Sequence, residues 1–205
     1  MIAIVDYEMG NIGSVYNMLK KIGKRSVITN DPAVIESAEK IILPGVGSFD
    51  SGMTNLENLG LVELLRKKVL GDKIPILGIC LGAQLMLNKS EEGVKNGLGF
   101  VEGDVVRFQI PENRPELRVP SMGWNQVAVQ KSSGITNNLP ENPRYYFVHS
   151  YHFKLKHAED DLMDSEYAYT FCSAFEHANI AGVQFHPEKS HKFGMALLKN
   201  FTENF

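Results

Sequence analysis

An apolar run, Pro75 to Ile79, passes without a spacer into Cys80, and glycines stand two residues to either side of that cysteine, in the segment Gly78-Ile79-Cys80-Leu81-Gly82. The form is Gly-x-nucleophile-x-Gly. A chain carrying it turns sharply from strand into helix, which requires residues with little or no side chain beside the turn and leaves the central side chain exposed above the edge of a sheet. Few architectures present such an edge. The surrounding pattern points to one of them, because short apolar runs alternate with segments of helical period through the first 90 residues, as in βα units around a parallel sheet.

Ile2 to Tyr7 is the first strand expected. From Asn11, the apolar residues Ile12, Val15, Leu19 and Ile22 form one buried helical stripe that Gly23 ends. Asp31 and Pro32 have the chemistry of an N-cap and first helical residue, with Val34, Ile35 and Ala38 toward the sheet. A strand over Lys40 to Leu43 and helices over Leu61 to Leu70 and Leu81 to Asn88 complete this half. Beyond about residue 100 the pattern becomes β-rich: Val101 to Phe108, Asn125 to Gln130, Tyr145 to Leu155, Tyr167 to Phe175 and Ile180 to Phe185. Antiparallel or mixed strands are expected there. A helix over His191 to Phe201 closes the chain, and the acidic Glu159, Asp160 and Asp161 read as a solvated loop. The fold class expected is α/β, with a mostly parallel central sheet flanked by helices and additional antiparallel strands in the C-terminal half. At 205 residues and 43% hydrophobic content, one domain over residues 1–205 is expected.

The formal charge of −3 and the lack of a Lys/Arg run argue against a nucleic-acid partner. The start, MIAIVDYEMG, has neither the cationic residues nor the apolar length of a signal peptide, and no apolar stretch is long enough for a membrane span. Two cysteines do not make a disulfide framework, so each is read as a thiol in the cytoplasm. No metal or other cofactor is expected.

In the elbow, the helix that follows directs free N–H groups at the sulfur and favours thiolate over thiol. The bland alternative for Cys80 is a small buried hydrophobe. A second segment, QFHPEKS from Gln184 to Ser190, bears on that choice. His186 and Glu188 lie two apart at the end of an expected strand, where extended backbone projects both to one side. Nucleophile, general base and orienting carboxylate are then all available. Cys172, in YTFCSAF, lacks an elbow and is read as core. Acyl transfer also needs donors for an oxyanion. The Leu81 amide is one, and LPGVGSF, Leu43 to Phe49, has glycines at a strand end that can expose another, at Val46.

PGVG, GICLGAQLM, SEEG, VPSMGWN, FVHSY and QFHPEKS, in this order, resemble the class I (triad-type) glutamine amidotransferases, and more narrowly the glutaminase subunits of imidazole glycerol phosphate synthases, over essentially the full length. The resemblance implies hydrolysis of glutamine by Cys80, His186 and Glu188 through a γ-glutamyl thioester. It implies glutamine binding by Gly47, Gln84, Glu92, Ser150 and Tyr151. It also implies ammonia transfer to a (β/α)₈ cyclase subunit docked against Asn11, Trp124, Asn125, Tyr146 and Lys189, and a backbone reorientation over Pro44 to Gly47 when that partner binds its ligand. Two positions depart from the pattern: Ser121 replaces a histidine in VPSMGWN, and Glu8 replaces a small residue before MGN. A similar subunit that supplies a surface-sugar amidating synthetase is the alternative implied.

Overall fold

The computed structural model describes residues 1–205. Thirteen strands and six helices follow in chain order: β1 (Ile2–Val5), α1 (Ile12–Lys21), β2 (Ser26–Thr29), α2 (Pro32–Glu36), β3 (Lys40–Gly45), α3 (Phe49–Asn58), α4 (Leu61–Arg66), β4 (Ile76–Cys80), α5 (Leu81–Leu85), β5 (Lys89–Ser90), β6 (Gly103–Arg107), β7 (Ser121–Gln126), β8 (Ala128–Val129), β9 (Arg144–His149), β10 (Tyr151–Leu155), β11 (Asp161–Glu166), β12 (Thr170–His177), β13 (Ile180–Val183) and α6 (His191–Asn204). The main sheet runs β2-β1-β3-β4-β13-β12-β10-β6-β5, with β11 and β8 branching from β12, and β7 and β9 form a separate antiparallel pair. From β2 to β13 every pairing is parallel, and β12, β10 and β6 then follow antiparallel. Both the parallel part and the antiparallel additions expected from the sequence are present.

The parallel strands are continuous apolar runs because both their faces are covered. In β1, Ala3 and Val5 join one buried cluster while Ile2 and Ile4 join the other; in β3, Ile41 and Leu43 face the first and Ile42 the second. The Asp31 carboxylate accepts the Ala33 amide at 2.9 Å, so the cap and Pro32 start α2 as expected.

Several boundaries differ from expectation. The helix over Leu61 to Leu70 ends at Arg66 and widens into a π-turn over Lys67–Gly71. The helix after Cys80 stops at Leu85, since residues 86–90 turn back to pair Lys89 and Ser90 with β6. The run Tyr145 to Leu155 breaks at Ser150 and feeds two sheets, β9 with β7 and β10 with β6. The acidic stretch is solvated only at Glu159, which is exposed. Asp160 is buried and paired with His177 Nδ1 at 2.9 Å, and Asp161 opens β11. There, burial and then the neighbouring Asp164 push the Asp161 carboxyl up to about 7. No helix is long and apolar enough to cross a membrane.

Candidate active site

Three adjacent parallel strands end at one edge of the sheet and deliver the candidate residues. The register pairs Gly45 of β3 with Cys80 of β4, and Ile79 of β4 with Val183 of β13. One step further along β13, Gln184 therefore stands level with Cys80, and His186 follows two residues on. Parallel strands bring residues distant in sequence side by side at their C-terminal ends, where open α/β sheets place their sites.

The elbow is as tight as its glycines imply. Cys80 has φ +52° and ψ −111°, a left-handed conformation costly for a residue with a Cβ. A Cβ at Gly82 would sit 1.7 Å from the Leu43 carbonyl oxygen, and one at Gly78 would sit 2.6 Å from Ala83 Cα. Both positions therefore exclude any side chain. With only five residues in α5, a large helix dipole at the sulfur is not available.

The His186–Glu188 pairing arises differently from expectation. The chain leaves β13 at Val183 and turns through a 3₁₀ segment at Pro187–Lys189, so a tight turn and not extended backbone sets the two side chains together. His186 Nδ1 lies 2.7 Å from Glu188 Oε1, with both side chains buried. The backbone of His186 is fastened as well: its amide donates to the Tyr146 carbonyl at 2.9 Å, and its carbonyl accepts Ser190 Oγ at 2.6 Å. Burial by itself pushes the imidazole pKa down, but contact with Cys80 and Glu188 and their negative charge outweigh it and hold His186 up at about 9. With Nδ1 committed to the carboxylate, Nε2 is the nitrogen available to the sulfur.

Cys80 lines a cavity of about 290 Å³ together with Val46, Gly47, Leu81, Gln84, Glu92, Ser150 and Tyr151, so both oxyanion candidates and all five glutamine-binding candidates share one chamber. Glu92 is tethered there by the Phe49 amide at 2.8 Å. Gln84 donates from Nε2 to the Tyr151 carbonyl at 3.4 Å and to Gln184 Oε1 at 3.1 Å, leaving its own Oε1 to offer a ligand. Gln184 and His149 are part of this assembly and were not singled out from sequence. Gln184 lies in QFHPEKS and His149 in FVHSY, but only strand register places them beside the cysteine.

The residues expected at a partner surface divide. Trp124 and Tyr146 are directly paired between β7 and β9, and Lys189 Nζ stands 5.7 Å from the Tyr146 ring centroid, so these three share a face. Trp124 is 47% exposed and stacks on His191, with centroids 5.7 Å apart. Asn11 is exposed just before α1. The neighbouring Asn125 alternates to the other side of β7 and its amide is spent on the Glu166 carbonyl at 2.6 Å. Cys172, on β12, packs against the core, where burial and then Asp161 push its thiol well up. No group of three or more His, Cys, Asp and Glu side chains is placed to hold a metal ion.

A cysteine at a strand end, an imidazole held by a carboxylate, and glycine-rich backbone opposite are groups from which an acyl-transfer centre can be built. Residues 3–205 match the family model for glutamine amidotransferase class-I, and the chain belongs to that family. It is 54% identical over 203 residues to the imidazole glycerol phosphate synthase subunit HisH 2 of Methanococcus maripaludis, covering 99% of each chain. It is 48% identical over 203 residues to the subunit of the same designation from Pseudomonas aeruginosa, again covering 99% of each. Among solved structures, a glutamine amidotransferase superposes with a TM-score of 0.74 at 17% identity, over 98% of this chain and 100% of that one. The glutaminase domain of Trypanosoma brucei CTPS with bound acivicin gives 0.64 at 16%, over 100% and 94%. These two show the fold.

Proposed function

We propose that this chain is the glutaminase subunit of an imidazole glycerol phosphate synthase, and that it hydrolyses glutamine to glutamate and ammonia for a cyclase subunit in histidine biosynthesis. The observation that carries the reading is Cys80, strained at an elbow and lining a cavity, with an imidazole raised by its contact with that cysteine and by a buried carboxylate 2.7 Å away. In this reading Cys80 Sγ attacks the side-chain amide carbon of glutamine, and His186 gives its proton to the departing nitrogen. Ammonia leaves with the C–N bond broken, and a γ-glutamyl thioester remains. Water, deprotonated by His186, opens the thioester to glutamate and restores the thiol.

Glutamine is held by Gly47, Gln84, Glu92, Ser150 and Tyr151, which already line the chamber. The Leu81 amide and a reoriented amide at Val46 receive the oxyanion. The partner is a (β/α)₈ cyclase docked on the face of Trp124, Tyr146 and Lys189, with Asn11 at its margin, in a cytoplasmic heterodimer. Asn125 supports this face from behind through its bond to Glu166.

A second reading assigns the ammonia to a surface-sugar amidating synthetase. Two residues favour it: Ser121, buried opposite His149 in β7–β9, and Glu8, held at φ +64°, where the usual pattern differs. Glutamate release by the chain alone, and mixed with a (β/α)₈ cyclase and its nucleotide ligand, separates the two. Strong activation by the liganded cyclase supports the histidine-pathway subunit, and hydrolysis unaffected by it selects the second reading.

A further inference from the structure

Beneath the sulfur lies a run of hydrogen bonds with a fixed direction. At one end is the Tyr151 carbonyl, which can only accept. It accepts Gln84 Nε2 at 3.4 Å and also His149 Nδ1 at 2.7 Å, so that nitrogen of His149 carries the proton. Because Gln84 must turn its NH₂ toward this carbonyl, its second N–H is what reaches Gln184, at 3.1 Å from Oε1. Gln184 consequently turns its own NH₂ the other way, and Nε2 lies 3.7 Å from Cys80 Sγ. The two ends of a carboxamide are alike in shape, and their partners decide which is presented. Gln184 is fully buried and Gln84 nearly so, so their order is set by these protein partners.

We propose that Gln184 is a further catalytic residue, an N–H donor to the reacting sulfur, and that Gln84, with the Tyr151 carbonyl behind it, is a positioning residue that fixes which end of Gln184 the sulfur meets. The proposal rests on Cys80 being the nucleophile. A donor aimed at the sulfur stabilises the thiolate, and a carbonyl oxygen in the same place repels it. The arrangement supplies the fixed N–H that the short α5 does not. It also ties the sulfur to the Ser150–Tyr151 backbone of the chamber, so a shift of that backbone reaches the nucleophile without passing through His186.

The test is the pH profile of iodoacetamide alkylation at Cys80, followed on the Cys80 peptide by mass spectrometry, which needs no glutamine turnover. Its outcome therefore stands apart from whether the chain is a glutaminase. Gln184→Met, close to isosteric and without a donor, is expected to slow alkylation at pH 7 about tenfold and to move the profile to higher pH. Gln84→Glu leaves Gln184 in place but substitutes an acceptor for the NH₂ that orients it. Gln184 then turns its oxygen to the sulfur, and alkylation slows by a similar factor. Thermal unfolding identifies a variant that has not folded, and if Gln184→Met is one, Gln84→Glu decides. Profiles of the folded variants that superimpose on the wild type overturn the proposal.

Discussion

At the scale of single residues, two left-handed backbones tell different stories. Cys80 at φ +52° lies at the proposed reacting centre, where strain is maintained by the surrounding sheet. Glu8 at φ +64° is exposed and makes only a local bond from its amide to Asp6 Oδ1 at 3.1 Å. A left-handed non-glycine residue costs ~1–2 kcal/mol, and glycine gives back ~0.5–1 kcal/mol through the unfolded chain. Glu8→Gly is therefore expected to stabilise by about 0.5 kcal/mol, read as a higher urea midpoint with unchanged slope. For Glu188 the consequence is chemical. Burial pushes His186 down, while Cys80 and Glu188 hold it up at about 9, so activity that needs the imidazolium falls above about pH 9. Glu188→Gln removes one of the two raising partners and leaves the burial. The alkaline limb of kcat/KM is expected to move to lower pH, with a loss of roughly 10²-fold or more. An unmoved limb would detach Glu188 from the imidazole.

At the scale of elements, the elbow between β4 and α5 was legible because its requirements are local. Gly78 and Gly82 announce a backbone that admits no Cβ, and both are needed for that reason. Gly82→Ala would drive a methyl into the Leu43 carbonyl and is expected to destabilise by ~3 kcal/mol or more, seen as a large drop in Tm. The contrast is Gly13, in the first turn of α1 with open space around its Cβ position; Gly13→Ala is expected to stabilise by ~0.5 kcal/mol. What the pattern did not disclose was geometry that depends on register or on turns. The spacing of His186 and Glu188 was meaningful, but a 3₁₀ turn and not a strand creates their contact. Asp161 and Asp164 concealed β11, because acidic residues argue against a strand until their pairing with β12 and partial burial are known. Helix α3, with mixed composition over Phe49–Asn58, was likewise hidden until Phe49, Met53 and Leu56 could be seen facing one core.

For the whole molecule, stability and site meet in the aromatic packing around β9. His149 is enclosed by Phe108, Phe147 and Phe171, with ring centroids 5.1 to 5.5 Å away, and burial holds its pKa down at about 4 against an ordinary 6.5. The fold thus requires the neutral ring. Its contribution is intact above pH 6.5 and is lost as pH falls toward 4, by about 3 kcal/mol at most. His152 next to it is lowered by burial as well and acts in the same direction. A circular dichroism titration should show acid unfolding in that window, and His149→Gln, which keeps a donor and cannot charge, should move the midpoint to lower pH. Such long-range enclosure is what a single sequence conceals. FVHSY carried the resemblance, yet the packing of Phe108 and Phe171 against it emerges only once β6, β9 and β12 are assembled.

Everything proposed for the site depends on Cys80 being the nucleophile of a glutaminase. The most direct measurement is glutamate release from glutamine by the wild type and by Cys80→Ala, each saturated with the liganded cyclase partner, with acid-quenched protein examined for a γ-glutamyl adduct on the Cys80 peptide. Release and a transient adduct are expected in the wild type, and neither in Cys80→Ala. Glutamate release that survives the substitution would contradict that role.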